Sequence, residues 1–476
     1  MRGIAERAFS RAAGAPLVAG NAMRLLLDAQ KNYAAWHEAI AAAEHTIYFE
    51  NYIIHPDKTG RAFRDALTEQ AKSGVKVRVI LDWLGSFRTL RRFWASLTEA
   101  GGQVRYHNAP RLDSPLGWLS RDHRKTLVVD GAVGFVSGIC VSDTWLGNPE
   151  RKIEPWRDTG VEIRGPACTD LTAAFAEVWN ENGEPIPARE LTQLPIPEAA
   201  GDTAVRVIAT APNLAGIYRL DLLIAAMAQR RLWLTDAYFA GLPAYVQALR
   251  AAARDGVDVR LLVPGGSDLP WLRPLTTAGY RPLLEAGVRV FEWNGSMLHA
   301  KTAVADSRWA RVGSTNLNIA SWMTNWEMDL AIDDPQFAQK IEAVYEQDLV
   351  HSTEVVLNRK HRRVRPPREE RSRPGGGSLA RATAGALRVG RAVGAAVTNR
   401  RVIGSTEARA ISWFAILPLS VALLAIFFPR VIAWPIALLL SFMTLSIVLR
   451  AWRLRRAGRE REKAAALAEK GGPHGL

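Results

Sequence analysis

Between Ala35 and Asn108 the chain alternates helix-period segments with short apolar runs: "AWHEAIAAAEHTIYFENYII", "FRDALTEQAKSGVKVRVILD", "LTEAGGQVRYHN". Between Leu220 and Asn294 it does so again: "LDLLIAAMAQRRLWLTDAYF", "YVQALRAAARDGVDVRLLVPG", "LLEAGVRVFEWN". "GVKVRVILD" and "GVDVRLLVPG" each open on a glycine and are short, largely apolar runs, the pattern of buried strands. "AYVQALRAAARDG" sets Tyr245, Leu249 and Ala252 at helical spacing and stops at Gly256. Each copy reads helix, strand, helix, strand, helix, strand and then one further strand. Such alternation predicts an α/β fold built as two pseudo-symmetric α/β sandwich repeats. "TQLPIPEAAGD", Thr192 to Asp202, is rich in Pro and small residues and marks the join. The expected organisation is an N-terminal segment 1–19, a first repeat 20–195 and a second repeat 196–358. Within 1–19, Ile4, Ala8, Phe9 and Ala12 share one face of a short helix, expected to be a frayed surface helix rather than a membrane contact; no secretory signal is legible there.

The pattern then changes. "RKHRRVRPPREERSRPGGG" is an exposed linker by composition, and "SLARATAGALRVGRAVGAAVTNRR" has the makings of a basic amphipathic helix for an anionic lipid surface, or of a solvated linker, within a segment 359–409. Two apolar runs follow, Ile411 to Phe428 and Val431 to Leu449, separated by Pro429 and Arg430. Each approaches the roughly 20 residues that cross a bilayer, so 410–450 is expected to be a C-terminal transmembrane helical hairpin. Trp413, Trp434 and Trp452 stand near the span ends, where indoles favour the interface. Arg400, Arg401 and Arg409 precede the spans and Arg450, Arg453, Arg455 and Arg456 follow, which puts both ends, the tail 451–476 and the folded repeats in the cytoplasm, on an inner membrane crossed twice.

Charge sharpens this division. The chain carries a formal net charge of +14, but from Arg359 onward 23 Lys+Arg face 6 Asp+Glu, a net of +17, which leaves −3 for everything before. The basic character belongs to the tail, so a nucleic-acid partner is not expected for the repeats. Cys140 and Cys168 are the only cysteines, so no disulfide framework is expected.

At the end of each copy stands a polar pattern inside an apolar strand: "DHRKTLVVDGAVGFVSG" at Asp122–Gly138 and "LHAKTAVADSRWARVGSTN" at Leu298–Asn316. Both read His-x-Lys-x4-Asp, giving His123, Lys125 and Asp130, then His299, Lys301 and Asp306. Period-two alternation puts His and Lys on one face of the strand. A single such pair reads as ordinary surface polarity; the duplication at matching places argues for function. No metal-ligand spacing, Walker-type glycine loop or cofactor motif accompanies them, so no metal or cofactor is expected. Two imidazoles divide acid and nucleophile duties, and two ammonium groups hold anionic oxygens. That set suits a phosphodiester: one His attacks phosphorus, and the other protonates the leaving alkoxide and then deprotonates the next nucleophile.

These two motifs, with "GSTN" after the second, resemble the phospholipase D superfamily. "HRKTLVVDG", "PWRDTGVEIRGP", "LHAKTAVADSRWARVGSTNLN", "NWEMDLAI", "TDAYF" and "GVRVFEW" are similar to its cardiolipin synthase branch, over roughly Gly20 to Val350. The resemblance implies two phospholipase D-like repeats with one active site between them and metal-free ping-pong phosphatidyl transfer. It implies His123 as nucleophile and His299 as general acid/base, with Lys125, Lys301, Ser314 and Asn316 on the phosphate. Glu327 is implied as the carboxylate that orients a catalytic His, with Asp158 its first-repeat counterpart. Asp130 and Asp306 belong to the catalytic motif, with a structural role favoured for both. Glu50 and Asp236 stand at matching strand ends and are expected in the substrate pocket. The chain departs from the family at "SGIC", where Ser137 replaces Gly and Cys140 replaces Asn; weaker or less symmetric phosphate binding by the first half is expected, with Cys140 a small buried filler. The implied partners are phospholipid substrates and an anionic membrane surface. The expected activity is transfer from one phosphatidylglycerol to another, yielding cardiolipin. Hydrolysis to phosphatidic acid is the rival within the same chemistry, and nuclease activity or a catalytically dead membrane scaffold lie further off. The sequence does not settle the oligomeric state.

Overall fold

The computed structural model of the chain describes residues 2–89, 91–110, 120–269, 273–357, 400–403 and scattered positions between 427 and 448. Apart from Arg400–Ile403 and those scattered positions, the expected linker 359–409, hairpin 410–450 and tail 451–476 lie outside the described residues. Among the described residues no helix is long and apolar enough to cross a membrane.

The first repeat contributes β1 (Val18–Leu27), β2 (Thr46–Asn51), β3 (Lys76–Asp82), β4 (Gln103–His107), β5 (Lys125–Val129), β6 (Val133–Ser137) and β7 (Thr159–Arg164). The second contributes β8 (Thr203–Thr210), β9 (Arg231–Thr235), β10 (Asp258–Pro264), β11 (Arg289–Trp293), β12 (Thr302–Ala305), β13 (Trp309–Gly313) and β14 (Glu327–Asp333). The first set is ordered β1-β7-β6-β5-β2-β3-β4 and the second β8-β14-β13-β12-β9-β10-β11, the same topology strand for strand. In both, the three strands furthest from the join run parallel and the others antiparallel. β1 and β8 meet antiparallel, pairing Val18 with Val205 and Asn21 with Thr203, so the two sheets join edge to edge. β15 (Ser352–Leu357) and β16 (Arg400–Ile403) extend the outer edge of the second.

Helices match as well. Asp28–Ala41 and Lys58–Lys72 cover one face of the first sheet, as Gly216–Met227, Pro243–Arg254 and Arg273–Ala286 cover the second. Cys168–Glu181 and Pro335–Val350 supply the shared core between the sheets, where Phe175 stacks on Tyr48 at 4.8 Å and Tyr345 on Trp233 at 5.3 Å. Local chemistry sets their limits. Asp57 caps Lys58–Lys72 by accepting from the Gly60 amide at 2.9 Å, and the helix gives way at Gly74, whose φ is +93°. Asp334 caps Pro335–Val350, with Pro at the first helical position.

The N-terminal segment differs from the expected frayed helix. Arg2–Ala13 is helical and docks on the second repeat: Ala13 and Ala15 are buried, Phe9 packs on that core, and the Arg206 guanidinium lies 5.7 Å from the Phe9 ring. The leading strands β1 and β8 were absent from the sequence pattern because neither "VAGNAMRLLL" nor "TAVRVIAT" bears a clean period.

The motif aspartates occupy the turn that follows each motif strand. Asp130 and Asp306 open the three-residue loops joining β5 to β6 and β12 to β13, both with φ +53°. Left-handed backbone there suits Asp, whose side chain bonds nearby backbone. Asp130 accepts from the amides of Glu44, His45 and Thr46, at 2.9, 2.8 and 2.7 Å. Asp306 accepts from Gln229, Arg230 and Arg231 at 2.9, 2.7 and 3.0 Å. Each thus pins the start of the neighbouring parallel strand. Asp130→Ala strips three amides of a charged acceptor and is expected to cost about 1–3 kcal/mol. Urea denaturation of the solubilised protein measures this; an unchanged midpoint contradicts the clamp.

Candidate active site

The two motif strands begin where the repeats interlock. The His123 amide donates to the Trp326 carbonyl and the Trp326 amide to the Arg121 carbonyl, both at 2.8 Å. Reciprocally, the His299 amide donates to Arg157 and the Arg157 amide to Met297, again at 2.8 Å. Each histidine therefore stands on backbone lent by the other repeat. Its side chain does too. His123 Nδ1 lies 2.9 and 3.1 Å from the carboxylate oxygens of Glu327, and His299 Nδ1 lies 2.7 Å from Asp158 Oδ2. A carboxylate on Nδ1 fixes the proton there and leaves Nε2 as the lone-pair nitrogen.

The carboxylates are themselves held. Glu327 also accepts from Ser314 Oγ at 2.5 Å and Asn325 Nδ2 at 3.2 Å. Asp158 accepts from the Trp145 indole at 3.2 Å and the Thr159 amide at 2.8 Å. The difference traces to Gly138, which occupies the place of Ser314 after the first motif. A Cβ at Gly138 would sit 2.3 Å from Asp158 Oδ1, so only glycine admits the carboxylate there. Burial pushes both carboxyls up, but the histidine partners outweigh it and hold Glu327 and Asp158 below their ordinary values. Burial pulls the imidazoles down more than the carboxylates pull them up: His123 lies below its ordinary value, and His299 falls to about 4. Both rings are therefore neutral at neutral pH.

The lysines complete the arrangement. Lys125 Nζ donates to the His123 carbonyl and sits 5.1 Å from the Tyr52 ring; Lys301 Nζ donates to the His299 carbonyl and sits 5.8 Å from the Tyr238 ring. Burial, then repulsion from Lys125, lowers Lys301 to about 8. Asn316 is buried with its Oδ1 unpartnered, a polar group aimed at no protein atom. Two ammonium groups, a spare amide and two neutral imidazoles bound by carboxylates form a site suited to an anionic tetrahedral centre. Among the described residues no group of three or more His, Cys, Asp or Glu is placed to hold a metal ion.

Other predicted site residues fall elsewhere. Ser314 has its proton engaged by Glu327 and accepts from the Met328 amide, so its hydroxyl braces the carboxylate. Asp130 and Asp306 lie at the far end of their strands, in the turns described above. Glu50 pairs in register with Thr126 and accepts its hydroxyl at 3.1 Å, on the opposite side of the sheet from Lys125. Its interior neighbours are Arg124 and Asp122, and burial raises it. The register counterpart of Asp236 is Asn51, not Glu50: Asn51 pairs with Lys125, and Asp236 follows Thr235, which pairs with Thr302. Asp236 accepts from the Leu317 and Tyr238 amides near Lys301, and burial raises it to about 7. Cys140 is buried and its thiol pushed up by burial.

Sequence reading missed the aromatic surround. Tyr52 lies 4.9 Å from the His123 ring; Trp145, Trp156 and Tyr238 lie 5.5, 5.6 and 5.8 Å from His299. The signal was present, since a Tyr follows each strand end in "ENY" and "DAY". It also missed Arg124, fully buried, which donates to the carbonyls of Glu327, Ala174 and Thr210 and so ties the first motif to the strand that bears Glu327.

The family model described as cardiolipin synthase, PLD-like domain, matches residues 37–154 and 223–349. Cardiolipin synthase A of Pseudomonas fluorescens is 34% identical over 372 residues, covering 75% of each chain. The cardiolipin synthase of Alkalihalophilus pseudofirmus is 30% identical over 344 residues, covering 71% of this chain and 68% of its own. Among solved structures, phosphatidylserine synthase of Haemophilus influenzae shares the fold with a TM-score of 0.58 at 16% identity, over 73% of this chain and 91% of that one.

The carboxylates stabilise imidazolium, so removing them makes protonation harder. In the substrate-free protein Glu327→Gln is expected to lower the His123 pKa further, and Asp158→Asn that of His299. Histidine-selective NMR titration reads both; an upward move of either contradicts the pairing.

Proposed function

The chain belongs to the cardiolipin synthase, phospholipase D-like family, and from that premise we propose that it is a phosphatidyltransferase joining two phosphatidylglycerol molecules into cardiolipin. The observation that carries the reading is the reciprocal pair, His123 on Glu327 and His299 on Asp158, each bond crossing between repeats. His123 Nε2 attacks phosphorus of the donor lipid, forming the P–N bond while the P–O bond to glycerol breaks. His299, protonated, gives its proton to the departing alkoxide. The acceptor lipid's hydroxyl then loses its proton to His299 and attacks phosphorus, breaking the P–N bond and restoring His123. Lys125, Lys301 and Asn316 hold the phosphoryl oxygens. The low pKa of His299 does not oppose its acid role, because a bound phosphodiester anion favours imidazolium.

In this reading residues 20–195 and 196–358 form the catalytic repeats, and the apolar runs in 410–450 tether them as a twofold span of the inner membrane with the catalytic part cytoplasmic. Asp236 borders the pocket near Lys301, with Glu50 supporting from the interior. Ser314 positions Glu327, and Asp130 and Asp306 hold the motif strands.

Vesicles of labelled phosphatidylglycerol test the activity. Cardiolipin and free glycerol are expected as products; phosphatidic acid in their place makes the protein a hydrolase. His123→Ala and His299→Ala are each expected to lose about 10²–10⁴-fold in turnover. Acid-quenched protein is expected to carry phosphatidyl label on a peptide containing His123.

The acid side of the pH dependence follows from the His123 shift. His123 attacks as the neutral base and its pKa lies below 6.5, so kcat/KM is retained below that value and falls only at lower pH. An acid limb above 6.5 in the steady-state profile contradicts this assignment.

A further inference from the structure

The strands β2, β3, β6, β8, β9 and β13 all end at the active site: Asn51 pairs with Lys125, Thr235 with Thr302 and Thr210 with Glu327, Asp82 accepts from the Asp122 amide beside His123, and β6 and β13 run directly into Gly138 and Ser314. The loops that leave them make up the mouth. Large apolar side chains stand exposed on these loops. Leu84 and Phe87 follow β3, in a loop whose Gly85 abuts Tyr52. Leu146 and Ile153 lie between Trp145 and Trp156, the two rings packed on His299. Ile319 follows Asn318, which donates to the Tyr238 carbonyl. Phe87, Ile153 and Ile319 are 57%, 48% and 58% accessible, which in a soluble rim leaves costly apolar surface in water. At the opposite end, where β8 and β9 begin, Met227 and Ile196 are the exposed large apolar side chains of the described repeats.

Charge points the same way. From Trp83 to Thr98 the chain holds Arg88, Arg91 and Arg92, all exposed, and no acidic residue. Exposed Phe and Leu interleaved with Arg is the composition that enters a headgroup layer: rings go into the acyl boundary and guanidinium groups onto phosphates. The body of the repeats is slightly acidic, so this cationic loop is a local feature rather than a share of a general positive field.

We propose that the rim formed by Leu84, Phe87, Leu146, Ile153 and Ile319, with Arg88, Arg91 and Arg92, docks the site mouth on an anionic phospholipid surface. The inference rests on the phosphatidyl-transfer reading and adds the route by which substrate arrives. A lipid phosphodiester reaches the paired histidines from the headgroup plane, and its acyl chains stay in the bilayer.

The test uses the full chain reconstituted in phosphatidylglycerol-containing vesicles. Phe87→Cys and Ile153→Cys are labelled with an environment-sensitive dye, with Met227→Cys as the reference; Cys140 and Cys168 are buried and escape labelling. Dyes at 87 and 153 are expected to shift to shorter wavelength and be quenched by bilayer-embedded quencher, the dye at 227 not. Equal behaviour at all three positions overturns the proposal. A shift without lipid that grows with protein concentration overturns it too, placing a second copy on this face. In a second arm, Phe87→Ser with Ile153→Ser is expected to lower turnover of vesicle lipid about tenfold while leaving turnover of soluble short-chain phosphatidylglycerol unchanged. An equal fall on both substrates rejects docking in favour of a local structural role. The dye arm needs no turnover, so a docked but inactive protein sinks the transferase reading alone, and an active but undocked one sinks this proposal alone.

Discussion

Each imidazole in the site is bonded to a carboxylate from the opposite half of the chain, and most other features follow from that exchange. Burying four ionisable groups beside two lysines is costly unless every charge finds a partner. Here the partners are arranged crosswise: His123 on Glu327, His299 on Asp158, and the backbone of each motif on the segment that carries the other repeat's carboxylate. The doubled topology makes that geometry available twice from one design. Arg124 adds a third tie, since its guanidinium closes three carbonyls drawn from β14, the interior helix Cys168–Glu181 and β8.

The symmetry is not complete, and its breaks fall beside the histidines. Around His123 stand Asp122, Arg124 and Glu50, all buried; the corresponding positions beside His299 are Leu298, Ala300 and Thr235. Glu327 is braced by a serine hydroxyl where Asp158 is braced by an indole, because Gly138 leaves no room for more than hydrogen at that place. Two rings of equal chemistry thus sit in unequal fields. A site that needs one nucleophile and one proton carrier gains from such a difference, since identical surroundings would give both rings the same preference.

Much of this was legible in the residues. The repeated His-x-Lys pattern marked the two motif strands, and the family resemblance of "NWEMD" and "PWRDTG" pointed to Glu327 and Asp158. Register was harder. Glu50 and Asp236 look equivalent in sequence, but strand pairing sets Asn51 opposite Lys125 and turns Glu50 to the other face, a one-residue slip that inverts a side chain's direction. Ser314 reads as a phosphate ligand by type; only the position of Glu327 reveals where its proton goes. The motif Asp reads as chemistry and stands in a left-handed turn, because a residue able to bond three amides and tolerate positive φ is chosen by the hairpin. The docked N-terminal helix was beyond reach, since its partner surface lies two hundred residues away.

The edge contact between β1 and β8 is slight, two residue pairs across the seam, while the crosswise bonds at the site are many. A relative tilt of the halves about that seam would strip Glu327 from His123 and Asp158 from His299 in the same movement. A polypeptide holding a single half would gain a complete centre only by embracing another such half about a twofold axis.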